Sequence, residues 1–172
     1  MSHDEFKKYT TKLSKEIDTY CTENKFRIDY IVPILRSGAV PAVYIANDLN
    51  IIKFAPIQVK KMKKDGKKLH IVLMNTLKDL DKNKAYNLLM VEGIFTSGET
   101  TKTALAEIVK TLPNAKILFT CVCVRGKDNL PKNVQASFYG FDSPKEKLFV
   151  FPWENVDQKE THPDQLEENI FF

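Results

Sequence analysis

A chain of 172 residues, 43% apolar and 28% charged, has the composition of a soluble globular protein and the length of one domain with one substantial core. No apolar stretch approaches the roughly 20 residues of a membrane span, and the opening Met-Ser-His-Asp-Glu-Phe-Lys-Lys is not a secretory signal, so a cytoplasmic protein without membrane partners is expected. The net charge of +4 is mild and suits small anionic substrates at least as well as nucleic acid.

In chain order, residues 4–23 carry Phe6, Tyr9, Leu13, Ile17 and Tyr20 on one stripe and are expected to form a helix. Residues 28–35 read as a strand and 39–49 as a helix. Residues 53–59 and 69–74 read as the arms of a hairpin around Asp65-Gly66, a strong turn signal. A polar loop, 75–85, leads to a central strand over 87–92, then a helix over 99–111 that stops before Pro113. Residues 116–124 form a long apolar run of the kind buried in a parallel sheet. Shorter strands are expected at 134–139 and 148–151, and the tail from 155 is polar until Ile170-Phe171-Phe172. Strands alternating with helices predict an α/β doubly wound sheet with its ligand site at the carboxyl ends of the strands, where Arg36, Glu92 and Arg125 fall.

Cys21, Cys121 and Cys123 make an odd number without CxxC spacing, and the last two share one face of an apolar strand, so they read as core. His3, His70 and His162 have no metal-ligand spacing, and no Ser/His/Asp set is argued. Lys60, Lys61, Lys63, Lys64, Lys67 and Lys68 crowd around the Asp65-Gly66 turn. They read as a solvated tip keeping a sheet edge soluble, or as a lid whose lysines meet diphosphate. An RNA-binding finger is the third reading, but no aromatic residues are interleaved for base stacking, so nucleic acid is not the expected partner.

The most informative segment is 88–100, Leu-Leu-Met-Val-Glu-Gly-Ile-Phe-Thr-Ser-Gly-Glu-Thr. A strand stopping at a carboxylate and turning into a helix N-terminus offers free N–H groups and a favourable dipole to an anion. Thr96, Ser97 and Thr100 add hydroxyls, and Gly98 lets the backbone close around phosphate oxygens. Glu92 cannot hold phosphate but suits neutral hydroxyls such as those of a ribose. The loop reads as a reader of sugar phosphates; the plainer reading is a strand-loop-helix turn with Ser97 as N-cap.

This segment resembles the phosphoribosyl-diphosphate (PRPP) motif of the type I phosphoribosyltransferases. Glu92 matches the first acid, Thr96-Ser97-Gly98-Glu99-Thr100 the phosphate loop, and Gly93 stands where a second acid is usual. Arg36-Ser37-Gly38 looks like the family's diphosphate loop, which often holds a non-proline cis peptide. Residues 60–70 sit where the family has a flexible hairpin, and Phe149-Val150-Phe151-Pro152-Trp153-Glu154 resembles the base-side hood of the xanthine/guanine/hypoxanthine branch. The resemblance covers roughly residues 26–155 of one domain.

It implies the type I phosphoribosyltransferase fold, a homodimer, and a purine salvage enzyme that displaces diphosphate from PRPP with a base, using Mg2+. Glu92 and Thr96 would be catalytic, although Thr96 replaces an aspartate that assists proton handling in many purine enzymes. Arg36, Ser37, Gly38, Glu92, Gly93 and residues 96–100 would bind PRPP. Arg125 or Lys127 would face the 6-oxo group. Phe149 or Phe151 would stack on the base or pack in the core, Trp153 would line the base pocket or an interface, and Glu92 with Glu154 would hold the metal. A nucleotide sensor without turnover, or a transferase for a pyrimidine or other acceptor, are the alternatives that Gly93 and Thr96 raise.

Overall fold

The computed structural model describes residues 1–64, 67–144 and 150–154. Helix α1, His3–Glu23, opens with a reciprocal cap that the sequence spells as Ser2-x-x-Glu5. Ser2 Oγ accepts the Glu5 N–H at 3.1 Å and Glu5 Oε2 accepts the Ser2 N–H at 2.7 Å. It buries Phe6, Leu13 and Ile17 together with Thr10 and Ser14. Those two hydroxyls enter the core because each bonds a carbonyl one turn back.

The elements that follow are β1 (Tyr30–Leu35), α2 (Ala39–Asp48), β2 (Ile57–Lys64), β3 (Lys67–Asn75), β4 (Asn87–Phe95), α3 (Glu99–Thr111), β5 (Lys116–Val124) and β6 (Ala136–Asp142). They form a six-stranded sheet in the order β3-β2-β1-β4-β5-β6, parallel throughout except for the β2–β3 hairpin. Leu88, Met90, Phe119 and Cys121 face α3, while Leu89, Val91, Leu118 and Val122 face α1 and α2. Both faces of β4 and β5 are covered, which is why these strands are apolar without alternation. No helix among the described residues is long and apolar enough to cross a membrane.

Several boundaries differ from expectation, beginning with β1, which starts at Tyr30 rather than 28. The hairpin strands begin at Ile57 rather than 53 and run through the lysines to Lys64 and from Lys67, because the two chains stay in register, Lys63 opposite Lys68 and Lys64 opposite Lys67. The turn Asp65-Gly66 lies outside the described residues. Strand β4 continues to Phe95, since Ile94 and Phe95 keep pairing with Cys123 and Val124 of β5. Strand β6 spans Ala136–Asp142, later than 134–139, after a short 3-10 turn at Lys127–Asn129. Of the expected strand 148–151, Val150 and Phe151 are not in a strand and the rest lies outside the described residues.

Candidate functional site

At the end of β4 the chain leaves the sheet through exposed Thr96 and Ser97. Gly98 then adopts φ 77°, ψ 2°, and a Cβ there would stand 2.8 Å from Phe95 Cζ, so both backbone and packing select glycine. Helix α3 starts at once, with Gly98 as N-cap and no side-chain cap bond. Ser97 is therefore not an N-cap, and no capping side chain meets the N–H groups of the first turn. That leaves them available to an anion, with the helix dipole behind them. Glu99 in the first turn carries a negative charge, its pKa held down by Lys102, and the Lys102 Nζ that bonds its carboxylate at 2.9 Å offsets that charge.

The neighbouring strand β1 ends in a cis Leu35–Arg36 peptide. Arg36 and Ser37 follow, both exposed. Gly38 is buried, its N–H donates to Ile34 O at 2.9 Å, and a Cβ would fall 2.2 Å from Val91 O. Gly38 thus packs this loop against β4 and does not offer its N–H to diphosphate.

A cavity of about 870 Å³ opens beside the β4–α3 loop, lined by Thr96, Ser97, Lys102, Arg125, Leu130 and Lys132 among others. Its size falls in the range of small-molecule sites, roughly 300–1,000 Å³. Arg125 ends β5, and its N–H donates to Phe95 O at 2.8 Å. Of the two candidate cations after β5, Arg125 faces this cavity, while Lys127 is exposed in the 3-10 turn and does not line it.

The chain superposes on solved structures over nearly its whole length. A purine phosphoribosyltransferase from Pyrococcus horikoshii is 22% identical, with TM-score 0.69, covering 90% of this chain and 92% of that one. A hypothetical protein from Neisseria gonorrhoeae solved with bound ppGpp is 17% identical, with TM-score 0.72 over 93% and 90%. The xanthine-guanine-hypoxanthine phosphoribosyltransferase of Helicobacter pylori is 17% identical, with TM-score 0.68 over 92% and 94%. The chain has the type I phosphoribosyltransferase fold. No protein-family model and no curated protein matches the sequence.

Within this fold the acidic position is arranged differently from the motif's expectation. Because β4 runs on to Phe95, Glu92 lies inside the strand rather than at its tip. It is 6% exposed, and its Oε2 accepts the hydroxyl of Thr101 in α3, itself 0% exposed. Burial raises the Glu92 carboxyl to about 7, against the lowering effect of the Thr101 bond. The site for a second acid is closed as well. A Cβ on Gly93 would meet Ser37 O at 2.7 Å and Phe151 Cε2 at 3.0 Å.

The hood residues also pack inward. Phe151 is 2% exposed, stacked on Trp153 at 4.6 Å and 8° and edge-on to Phe6 of α1. Trp153 packs edge-on to Phe6 at 4.7 Å. These contacts make Phe151 a core residue rather than a base stacker, and they account for the inner face of Trp153. Phe149 lies outside the described residues. Glu154 Oε2 accepts the Phe151 N–H at 2.8 Å and closes that turn.

With Glu92 turned to Thr101 and Glu154 to the Phe151 backbone, the two acids do not form a magnesium cradle. Among the described residues no group of three or more His, Cys, Asp and Glu side chains is gathered for a metal. Cys121 and Cys123 are fully buried, and burial pushes both thiols up, Cys123 to about 11, so they are inert core as expected.

Thr101 lies one residue beyond the motif, which gives it no role. It was legible in another way: Thr101, Ala104, Leu105 and Ile108 are the buried stripe of α3, and a hydroxyl at a core position of such a stripe needs a partner. The cavity-lining segment 128–133 carried no sequence signal at all.

Proposed function

We propose that the protein is a purine phosphoribosyltransferase, a cytoplasmic homodimer that transfers the 5-phosphoribosyl group of PRPP to hypoxanthine, guanine or xanthine. The observation that carries this is the β4–α3 unit: exposed Thr96 and Ser97, left-handed Gly98 and an α3 N-terminus without a capping side chain, opening on a cavity that Arg125 also lines. The 5-phosphate would accept hydrogen bonds from the backbone N–H groups of the loop and first turn, with the hydroxyls of Thr96, Ser97 and Thr100 as further donors. Arg36 and Ser37, exposed at the end of the adjacent parallel strand, would take the diphosphate. Arg125 would donate to the exocyclic oxygen of the base.

In the reaction the anomeric C–O bond to diphosphate breaks, its electron pair leaving with the diphosphate, and a C–N bond to the base forms, while the base nitrogen passes its proton to the departing diphosphate or to water. The chain's contribution is to align the partners and to stabilise the departing charge with Arg36 and backbone dipoles. Thr96 is no base at neutral pH, so this reading gives it a hydroxyl donor's role. Magnesium would enter as the counter-ion of PRPP itself, coordinated by diphosphate oxygens as a hard cation prefers.

A second reading, a PRPP or nucleotide sensor without turnover, is favoured by the closed space at Gly93 and the inward turn of Glu92. The solved Neisseria protein with bound ppGpp is consistent with such a role on this fold. Purified protein incubated with PRPP, magnesium and a panel of purine and pyrimidine bases separates the readings. Diphosphate release with a purine is expected. Release only with a pyrimidine or other acceptor would redefine the substrate, and binding without release would identify a sensor.

A further inference from the structure

The loop that would hold phosphate is only three residues long, Thr96 to Gly98, and lies between the end of β4 and the start of α3. Its flanking elements are joined by one polar contact in the core: the Thr101 hydroxyl donates to the Glu92 carboxyl, nine residues earlier. Neither side chain reaches solvent to any extent, with Glu92 6% and Thr101 0% exposed. Around them the face between sheet and α3 is apolar, made by Leu88, Met90, Phe95, Ala104 and Cys121. Burying a carboxyl and a hydroxyl there is unfavourable unless they satisfy each other. The pair therefore sets the height of the first turn of α3 above β4, and with it the direction in which the uncapped N–H groups point. No side-chain cap shares this task.

We propose that Glu92 and Thr101 are a positioning pair that fastens the first turn of α3 to β4 and so preorganises the Thr96–Thr100 phosphate site, and that Glu92 does not touch the sugar. The inference rests on the phosphate-site reading above and deepens it: affinity for the phosphate end of the ligand depends on the pair, whereas discrimination at the ribose hydroxyls does not.

Three variants test this, each checked first by circular dichroism and thermal melting. Thr101→Val removes the donor at nearly constant volume. Glu92→Met removes the acceptor while keeping an apolar filler, at the stability cost of leaving the buried Thr101 hydroxyl unpaired. Glu92→Gln retains a carbonyl acceptor for the Thr101 hydroxyl. The probes are guanosine 5′-monophosphate, its 2′-deoxy analogue and inorganic phosphate, with amide hydrogen exchange over residues 96–102 as a readout that needs no ligand. We expect Thr101→Val and Glu92→Met to weaken binding of all three probes by about tenfold and to speed exchange in that segment but not in α1. Glu92→Gln should stay within about twofold of the wild type.

Lost affinity together with faster exchange confined to residues 96–102, in variants still folded at the assay temperature and with α1 as protected as in the wild type, is the result a purely structural role would not give. Unchanged affinity and exchange in Thr101→Val and Glu92→Met would overturn the proposal. So would a Glu92→Gln variant that alters the ribose-to-deoxyribose preference several-fold, because the acid would then be contacting the sugar. If the wild type binds none of the probes, the phosphate-site reading fails, and the exchange data alone still decide whether the pair fastens the loop. Should Thr101→Val not fold, Glu92→Met carries the test.

Discussion

The ring of Phe151 lies against the backbone of Gly93, close enough that a single added carbon on Gly93 would stand 3.0 Å from Phe151 Cε2 and 2.7 Å from Ser37 O. The position at which a second motif acid would stand is thus where the hood meets β4 and the β1–α2 loop.

Gly93→Asp is accordingly expected to disrupt packing rather than add a metal ligand. Overpacking alone costs about 1–3 kcal/mol, and a buried carboxylate without a partner adds to that. A drop of 5 °C or more in Tm is expected, at roughly 2–4 °C per kcal/mol for a chain of this size. A variant that melts like the wild type and gains magnesium-dependent PRPP binding would refute this account of the site.

The buried Glu92 makes stability depend on pH in a definite direction. Its carboxyl sits at about 7 in the folded protein against an ordinary 4.5. Between those values the folded state keeps a proton that the unfolded chain has released, so stability falls as pH rises through the window. The loss is complete above pH 7 and amounts to about 3 kcal/mol at 1.36 kcal/mol per unit. Glu92→Gln removes this dependence and should gain on the wild type between pH 5 and pH 8, the gain levelling off above about pH 7. Parallel urea titrations at the two pH values check it; equal gaps at both would show that Glu92 titrates normally.

Gly98→Ala should be destabilising and weaken phosphate binding, for two reasons that act together. The left-handed φ of 77° disfavours a side chain, and the new methyl would meet the Phe95 ring at 2.8 Å. The two effects together should cost about 1–3 kcal/mol. Ser97→Ala, by contrast, should reduce guanosine 5′-monophosphate affinity by less than about tenfold, since backbone N–H groups are the main donors. Isothermal titration of both variants compares them, and a larger loss in Ser97→Ala would mean that hydroxyls carry the site.

In the hairpin, Lys63 faces Lys68 and Lys64 faces Lys67 across the strands. Like charges directly opposite are unfavourable, so Lys68→Glu should stabilise by about 0.2–1 kcal/mol at low ionic strength. The gain should fade in high salt. PRPP affinity is expected to stay within about twofold, as for a solvated sheet edge. A fall well beyond that would show that these lysines close on diphosphate.

Local sequence was enough for the alternation of strands and helices and for the strand-turn-helix at Thr96–Thr100. Apolar runs with turn signals between them are local facts, and the loop's glycine and hydroxyls lie within five consecutive residues. The helix cap at Ser2 and Glu5 and the buried stripe of α3 were not among the expectations, although both rest on local spacing. Where the side chains at the motif's acidic end point depends instead on contacts between distant segments. The extension of β4 to Phe95 comes from pairing with Cys123 and Val124, some thirty residues away. The closing of Gly93 comes from Ser37 and Phe151, brought in by separate elements. The orientation of Glu92 depends on which face of the sheet α3 covers, and Glu154 turns to a backbone N–H of its own turn. A motif states which residues are near each other in the chain. Whether a carboxylate meets solvent, a sugar or a buried hydroxyl is set by the packing of distant segments around it, and here that packing turned Glu92 inward.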